Sequence, residues 1–172
     1  MTAVALLLGL LIDHFIGEAK RWHPLVGFGN AAATLEKAVN PSSDNHGKLR
    51  GLVCWALMVL TPVVAMTLAV SQLSGLALLV FNALVVYFVV GLKSLVEHGR
   101  NVAVPLLDGD LPAARQQIAM MVSRDTANLN EQQVACATCE SVLENGSDAV
   151  FAALFWFCLL GAPGAILYRG AN

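Results

Sequence analysis

The sequence predicts an all-α integral membrane protein: three to four transmembrane helices with a cytoplasmic helical hairpin, all within one membrane domain, residues 1–172. Three observations predict it. Charged residues make up only 13% of the chain and hydrophobic residues 57%, against about 25% charged in an ordinary soluble domain. Residues Gly51 to Leu92 contain no Asp, Glu, Lys, Arg or His; as helix they extend about 63 Å, close to two crossings of a hydrocarbon core about 30 Å thick. Nine of the ten Lys and Arg residues fall in the two segments 17–50 and 93–148, which emerge on the same side because the two spans between them go out and come back. Positive charge marks the cytoplasmic side of a bilayer, so both segments are expected in the cytoplasm, where nucleotides are available.

Residues 1–16 form the first apolar segment. It has no basic start and no small-residue cleavage pattern, and it carries Asp13, so a short retained span or interfacial helix fits better than a signal peptide. An acid at that depth is costly without a partner or a role. Asn40 to Lys48 is a loop by composition. Residues 51–70 and 76–92 form the next two spans, and Ser71 to Gly75, "SQLSG", supplies the turn between them. Asn82 in the second of these reads as a helix-to-helix hydrogen bond.

In the second polar segment, Asp110 can cap a helix whose first turn holds Pro112. Leu111, Ala114, Ile118, Met121 and Val122 then form its apolar stripe. "SRDTANL" follows as a loop, and Asn130 with Gln133 resembles a capping arrangement. Ala135, Cys139, Val142 and Leu143 give the next helix an apolar face, and the two helices are expected to pack as a hairpin. Gln133, Ala137, Glu140 and Glu144 then lie on the opposite face. Gly146 reads as a helix stop. Residues 149–168 form the last span, which "GAPG", Gly161 to Gly164, is expected to break so that Arg169 turns back toward the cytoplasmic surface.

Common signatures are missing. No phosphate-binding glycine loop, dinucleotide fingerprint or nucleophile elbow occurs, and a net charge of −2 gives no electrostatic case for nucleic acid. Cys54 and Cys158 fall in spans, and Cys136 with Cys139 lacks the second ligand pair of a zinc site. The polar chemistry that remains centres on "SRDT" and "CESVLENGSD". Glu140, Glu144 and Asp148 stand four residues apart, so a continuous helix sets them in one stripe where like charges repel. Such a stripe is either solvated or neutralised by a cation; Mg²⁺ commonly takes one or two carboxylates plus phosphate oxygens. Asp148 reads equally as a cap on the following span. Arg124 is open to two readings, a loop ion pair with Asp125 or a bidentate phosphate donor. His23, before Pro24, reads as structural or catalytic.

"LLIDHFIGEAKRWHPLVGFG", "SRDTANLNEQQVACATCESVLENGSDAVFAALF" and "GAPGAILYRGAN" together resemble the CobD/CbiB family of cobalamin biosynthesis, adenosylcobinamide-phosphate synthase, nearly end to end over this chain. Two positions depart from its pattern: Ala19 and Ala153 stand where the family has Pro. The family continues beyond the motif matched by Tyr168, Arg169 and Asn172, so this chain is expected to correspond to roughly its N-terminal half. The resemblance implies a multi-pass protein of the bacterial inner membrane. It also implies use of ATP and Mg²⁺ to join a carboxylate of adenosylcobyric acid to aminopropanol or its phosphate, and a membrane complex with other cobalamin-pathway enzymes as a partner state. Under it, Glu140, Glu144 and Asp148 become the metal ligands and Asn145 joins them on the nucleotide side. Arg124 becomes a phosphate contact oriented by Asp125, and Glu18 with His23 approaches the same site from the first segment. The reading from another class is a non-catalytic membrane signalling protein resembling the AmpE family.

Overall fold

The computed structural model describes residues 1–17, 24–39 and 47–172, and among these the chain is helical, with no β-strand. In chain order the helices are α1 (Thr2–Ile16), α2 (Pro24–Val39), α3 (Gly47–Gln72), α4 (Gly75–Val89), α5 (Leu92–Leu107), α6 (Leu111–Ile118), α7 (Glu131–Gly146) and α8 (Ala153–Ala171). A π-helical turn, Ser147–Ala152, joins the last two.

Helices α1, α4 and α8 enclose an apolar core formed by Ala5, Val85, Val86, Val89, Val150, Ala153, Phe157 and Ala165, with α3 packed on α8. Outside it the surface is apolar: Leu7, Leu11, Leu52, Trp55, Leu60, Leu68, Phe155 and Leu159 are all at least half exposed. Water would oppose so large an apolar surface and lipid does not, which is the physical mark of a bundle built for hydrocarbon. Among the described residues three helical stretches are long and apolar enough to cross a membrane, Lys48–Gln72, Gly75–Leu107 and Glu131–Ala171, and Thr2–Ile16 is a shorter apolar helix. The turn between α3 and α4 falls at Leu73 and Ser74, inside the expected break.

Association inside a bilayer draws on close packing and not on exclusion of water, so small residues sit at the contact. Ala5 and Gly9 are buried one turn apart on α1, and a Cβ on Gly9 would lie 2.6 Å from Val86 Cβ. One turn further, Asp13 is 1% exposed. Its partner is a helix end: Val90 and Gly91 leave helical geometry between α4 and α5, and the backbone N–H of Lys93 donates to Asp13 Oδ2 at 2.9 Å. A carboxylate at a helix N-terminus satisfies an orphan donor and meets the positive end of the helix dipole. Lys93 Nζ also donates to the Phe15 carbonyl, and the Tyr87 hydroxyl to the Gly17 carbonyl. Asn82 does not make the expected hydrogen bond through Oδ1, which is buried without a partner.

α6 and α7 pack together as expected, and α5 joins them to make the polar segment a three-helix unit. Val102 of α5, Ala114 and Ile118 of α6, and Val134 and Ala137 of α7 close a second core, with Leu111, Met121 and Val122 packed on it. The caps are those read from sequence. Asp110 accepts from the Ala113 N–H at 3.0 Å, and Asn130 and Gln133 form a reciprocal capping box.

The face of α7 differs from expectation. Val134, Ala137 and Ser141 are its buried residues, whereas Cys139 is exposed and Leu143 is 74% exposed. α7 packs against both α5 and α6; small and β-branched side chains allow that double approach, while counting apolar residues gives them too little weight. Gly146 is not a stop. A glycine ends a helix by taking positive φ, and Gly146 keeps φ −63°, ψ −43°. The helix therefore continues through the π turn, so Asp148 lies inside helix and is not a terminal cap.

Candidate functional site

The polar side chains converge where the three-helix unit meets the membrane bundle. A pocket of about 270 Å³ is lined by Ser94, Leu95 and His98 of α5, Met121 after α6, Asn145 of α7 and Arg169 of α8. Arg169 reaches it because α8 is bent. Gly161 has φ 68°, ψ −156°, a conformation accessible at low cost only to glycine, and Pro163 follows it. Ala149 and Arg169 line the same pocket, although twenty residues of straight helix would separate them by about 30 Å. The reversal at Gly161 removes that separation. Tyr168, next to Arg169, interacts with both Asp148 and Arg169, which ties the π turn to the returning end of α8. π turns are frequent at functional sites because they re-aim side chains by one position.

Within the pocket, bonding directions leave particular atoms for a ligand. His98 Nδ1 lies 2.7 Å from the Ser94 carbonyl oxygen. That oxygen can only accept, so Nδ1 carries a proton and Nε2 is the ring nitrogen left for other contacts. Asn145 Nδ2 donates to the Ser141 carbonyl at 2.8 Å and to Ser141 Oγ at 3.2 Å, and Ser141 Oγ in turn donates to the Met121 carbonyl. Both amide hydrogens are engaged, so the Asn145 side chain offers its oxygen.

The residues expected from sequence divide. Asn145 lines the pocket; Asp148 is not among its lining residues and interacts with Tyr168, the neighbour of Arg169. Arg124 and Glu140 pair with each other at 2.6 Å, with side chains 53% and 65% exposed; a pair so wet contributes about 0–1 kcal/mol. The expected orientation of Arg124 by Asp125 does not occur: Asp125 Oδ1 accepts from the Ala127 N–H at 2.9 Å, turning its own loop. That loop is fixed by Thr126, buried and donating to the Arg115 carbonyl, and by Arg115 Nε donating to the Leu129 carbonyl. Glu144 is exposed. Glu18 and His23 lie outside the described residues. Cys136 and Cys139 are free thiols on the exposed side of α7, and among the described residues no three His, Cys, Asp or Glu side chains gather closely enough to hold a metal by themselves. Ser94 and His98 were not among the expected residues; their signal was a polar i, i+4 pair one turn past the apolar run.

A larger groove of about 530 Å³ lies between α2 and α3, with Glu36 and Arg50 among its lining residues.

Fold and site together define a class: a helical membrane protein whose reactive polar groups sit at one end of its bundle, between the spans and a small three-helix unit. The CobD/Cbib protein family profile matches residues 6–172, and this chain belongs to that family. It is 48% identical to the cobalamin biosynthesis protein CobD of Chromobacterium violaceum, over 99% of this chain and 56% of that one. It is also 48% identical to CobD of Stutzerimonas stutzeri, over 95% and 53%, and 38% identical to CobD of Rhodobacter capsulatus, over 87% and 48%. The chain thus spans about half the length of the curated relatives it matches. No solved structure matches it.

Proposed function

We propose that this chain forms the N-terminal, site-bearing part of a cobalamin-pathway synthase that joins adenosylcobyric acid to aminopropanol or its phosphate, with ATP and Mg²⁺, at the cytoplasmic face of a bacterial inner membrane. The observation that carries the proposal is the meeting of two distant segments. The bend at Gly161 brings Arg169 to the pocket that Asn145 lines, so one residue of each of the polar blocks 140–148 and 168–172 reaches the same cavity. Family membership and the relatives' names support the pathway.

A carboxylate is a poor electrophile at neutral pH, and phosphoryl transfer from ATP as substrate, with a cation offsetting phosphate charge, converts its oxygen into a leaving group. The chain's own residues do the rest. Glu144, Asp148 and the Asn145 oxygen would hold the cation. Arg169 and Arg124 supply guanidinium donors for phosphate, Arg124 exchanging its exposed pairing with Glu140 for the ligand. His98 Nε2 is placed to take the proton from the attacking amine. The apolar bundle gives a membrane-side wall for a large substrate.

The test is direct synthesis. The chain in nanodiscs, alone and extended in frame by the C-terminal part of the Chromobacterium violaceum relative, is given adenosylcobyric acid, the amine, ATP and Mg²⁺, and the amide is followed by mass spectrometry. ATP-dependent product is expected from the extended protein, and none from either protein would overturn the proposal.

A further inference from the structure

We infer that the groove between α2 and α3 seats one anionic phospholipid of the phosphatidylglycerol type, with its phosphate on Arg50 and an acyl chain along the apolar lining beyond. The groove shares no lining residue with the polar pocket, and the inference does not depend on the proposed reaction.

The groove is laid out as an amphiphile is. Glu36 and Val39 of α2 and Arg50 and Gly51 of α3 line one end, where both helices adjoin residues 40–46. Phe28 and Val59 line the other end, which Gly170 of α8 closes: a Cβ on Gly170 would stand 3.6 Å from Phe28 and 3.8 Å from Val59. Between the two ends the lining is apolar, with Cys54, Trp55 and Met58. From Arg50 to Val59 a helix rises about 14 Å, close to one leaflet, which is half of a hydrocarbon core about 30 Å thick. Trp55 is half exposed and stands partway along, and an indole suits the boundary between headgroup and chain because its ring is apolar and its N–H is polar. The walls also keep space open. Gly29 and Gly51 both line the groove, and a Cβ on either would meet nothing within 4 Å.

Charge selects the headgroup. Among the described residues of α2 and α3, Lys37, Lys48 and Arg50 are the cations and Glu36 is the acid, and all four are exposed. Glu36 and Arg50 line the same groove without pairing with each other. Lys48 and Arg50 stand in the first turn of α3, where the positive end of the helix dipole adds to their field. Basic pockets between membrane helices take anionic headgroups, each cation near the surface strengthening the attraction about 5-fold. A guanidinium matches phosphate with paired N–H groups, and the Glu36 carboxylate can accept from headgroup hydroxyls. Phosphatidylglycerol supplies both, a net negative charge and a diol. Phosphatidylethanolamine gives Glu36 a donor but brings no net charge to the cations. Phosphatidylcholine brings neither, and phosphatidic acid has no diol.

The test is native mass spectrometry of the 172-residue chain in detergent, titrated in separate arms with dioleoyl phosphatidylglycerol, phosphatidylethanolamine, phosphatidylcholine and phosphatidic acid. One phosphatidylglycerol is expected to bind about 5-fold or more tightly than each of the others, the equivalent of one cation's contribution. Arg50→Gln should remove the preference over the two zwitterionic lipids, and Arg100→Gln, an exposed cation on α5, should leave it intact. Gly29→Leu fills the groove without altering its charges and should weaken phosphatidylglycerol binding about 5-fold or more. The preference in the unaltered chain is itself a result, so it decides the matter where a variant folds poorly. Equal binding of phosphatidylglycerol and phosphatidylcholine would overturn the inference, as would a preference kept in Arg50→Gln or full binding in Gly29→Leu. Tightest binding of phosphatidylethanolamine would reassign the groove to a zwitterion, and tightest binding of phosphatidic acid would reassign it to a bare phosphate; either overturns it. Loss of the preference in the chain extended by the C-terminal part of the Chromobacterium violaceum relative would mean that this part covers the groove, and would overturn the inference as well.

Discussion

Replacing Gly9 with alanine tests the contact on which the placement of the site depends. An added Cβ would lie 2.6 Å from Val86 Cβ, 2.6 Å from Val86 Cγ1 and 2.8 Å from the Ala83 carbonyl oxygen. Carbon atoms rest about 3.5–4.0 Å apart, so α1 and α4 must separate by about 1 Å. Val86 is fully buried and cannot swing aside. Overpacking of this kind costs about 1–3 kcal/mol. Alanine also gains about 1 kcal/mol over glycine in a helix, which would blur the result if measured alone. Gly51→Ala supplies the comparison, since Gly51 lies within α3 and a Cβ there meets nothing within 4 Å. The helix gain is common to both variants, so Gly9→Ala should be less stable than Gly51→Ala by about 1–3 kcal/mol. Denaturant titration in detergent, followed by circular dichroism, reads the difference as about a 5- to 150-fold change in the folded-to-unfolded ratio. Equal stability of the two variants would refute the close seating of α1 on α4. The same contact sets Asp13 against the start of α5, so Gly9→Ala should also lower amide synthesis in the extended protein.

Further outcomes follow from other contacts. Asp13→Ala removes the acceptor for the Lys93 N–H and should cost about 0.5–2 kcal/mol, as loss of a helix cap does, measured by the same titration. Ile118→Ala, in the core of the three-helix unit, should cost about 2–5 kcal/mol; Leu143→Ala, although Leu143 is the larger apolar residue on α7, should change stability by no more than about 0.5 kcal/mol because it is exposed. Glu144→Gln in the extended protein should keep abundance while greatly lowering amide synthesis, with partial recovery in excess Mg²⁺, because the amide is a weaker cation ligand; full activity at limiting Mg²⁺ would remove Glu144 from the cation side. A cysteine introduced at Ser74 should be labelled from outside the cell and one at Asp108 should not; labelling at Asp108 would reverse the proposed sidedness.

The sequence by itself determined the class of fold. An uncharged run of 42 residues, Gly51 to Leu92, has no stable arrangement in water that leaves it helical and alone, and local chemistry set the caps at Asp110 and Asn130. These are one-dimensional properties, decided within a few residues of where they act. Tertiary structure decided what depends on a partner. Which stripe of α7 is buried was settled by close approach to α5 and α6, and it favoured Ala137 and Ser141 over Cys139 and Leu143. Gly146 could have ended the helix, but its backbone stayed helical and the π turn carried Asp148 onward. Arg124 had Asp125 as its candidate partner in sequence terms, and packing gave it Glu140, sixteen residues away. Ser94, His98 and Arg169 became one pocket only because a single glycine reversed α8. Periodicity reports which residues share a face; it holds no information on which face another helix will meet, since that is set by side-chain volumes and distances across the contact.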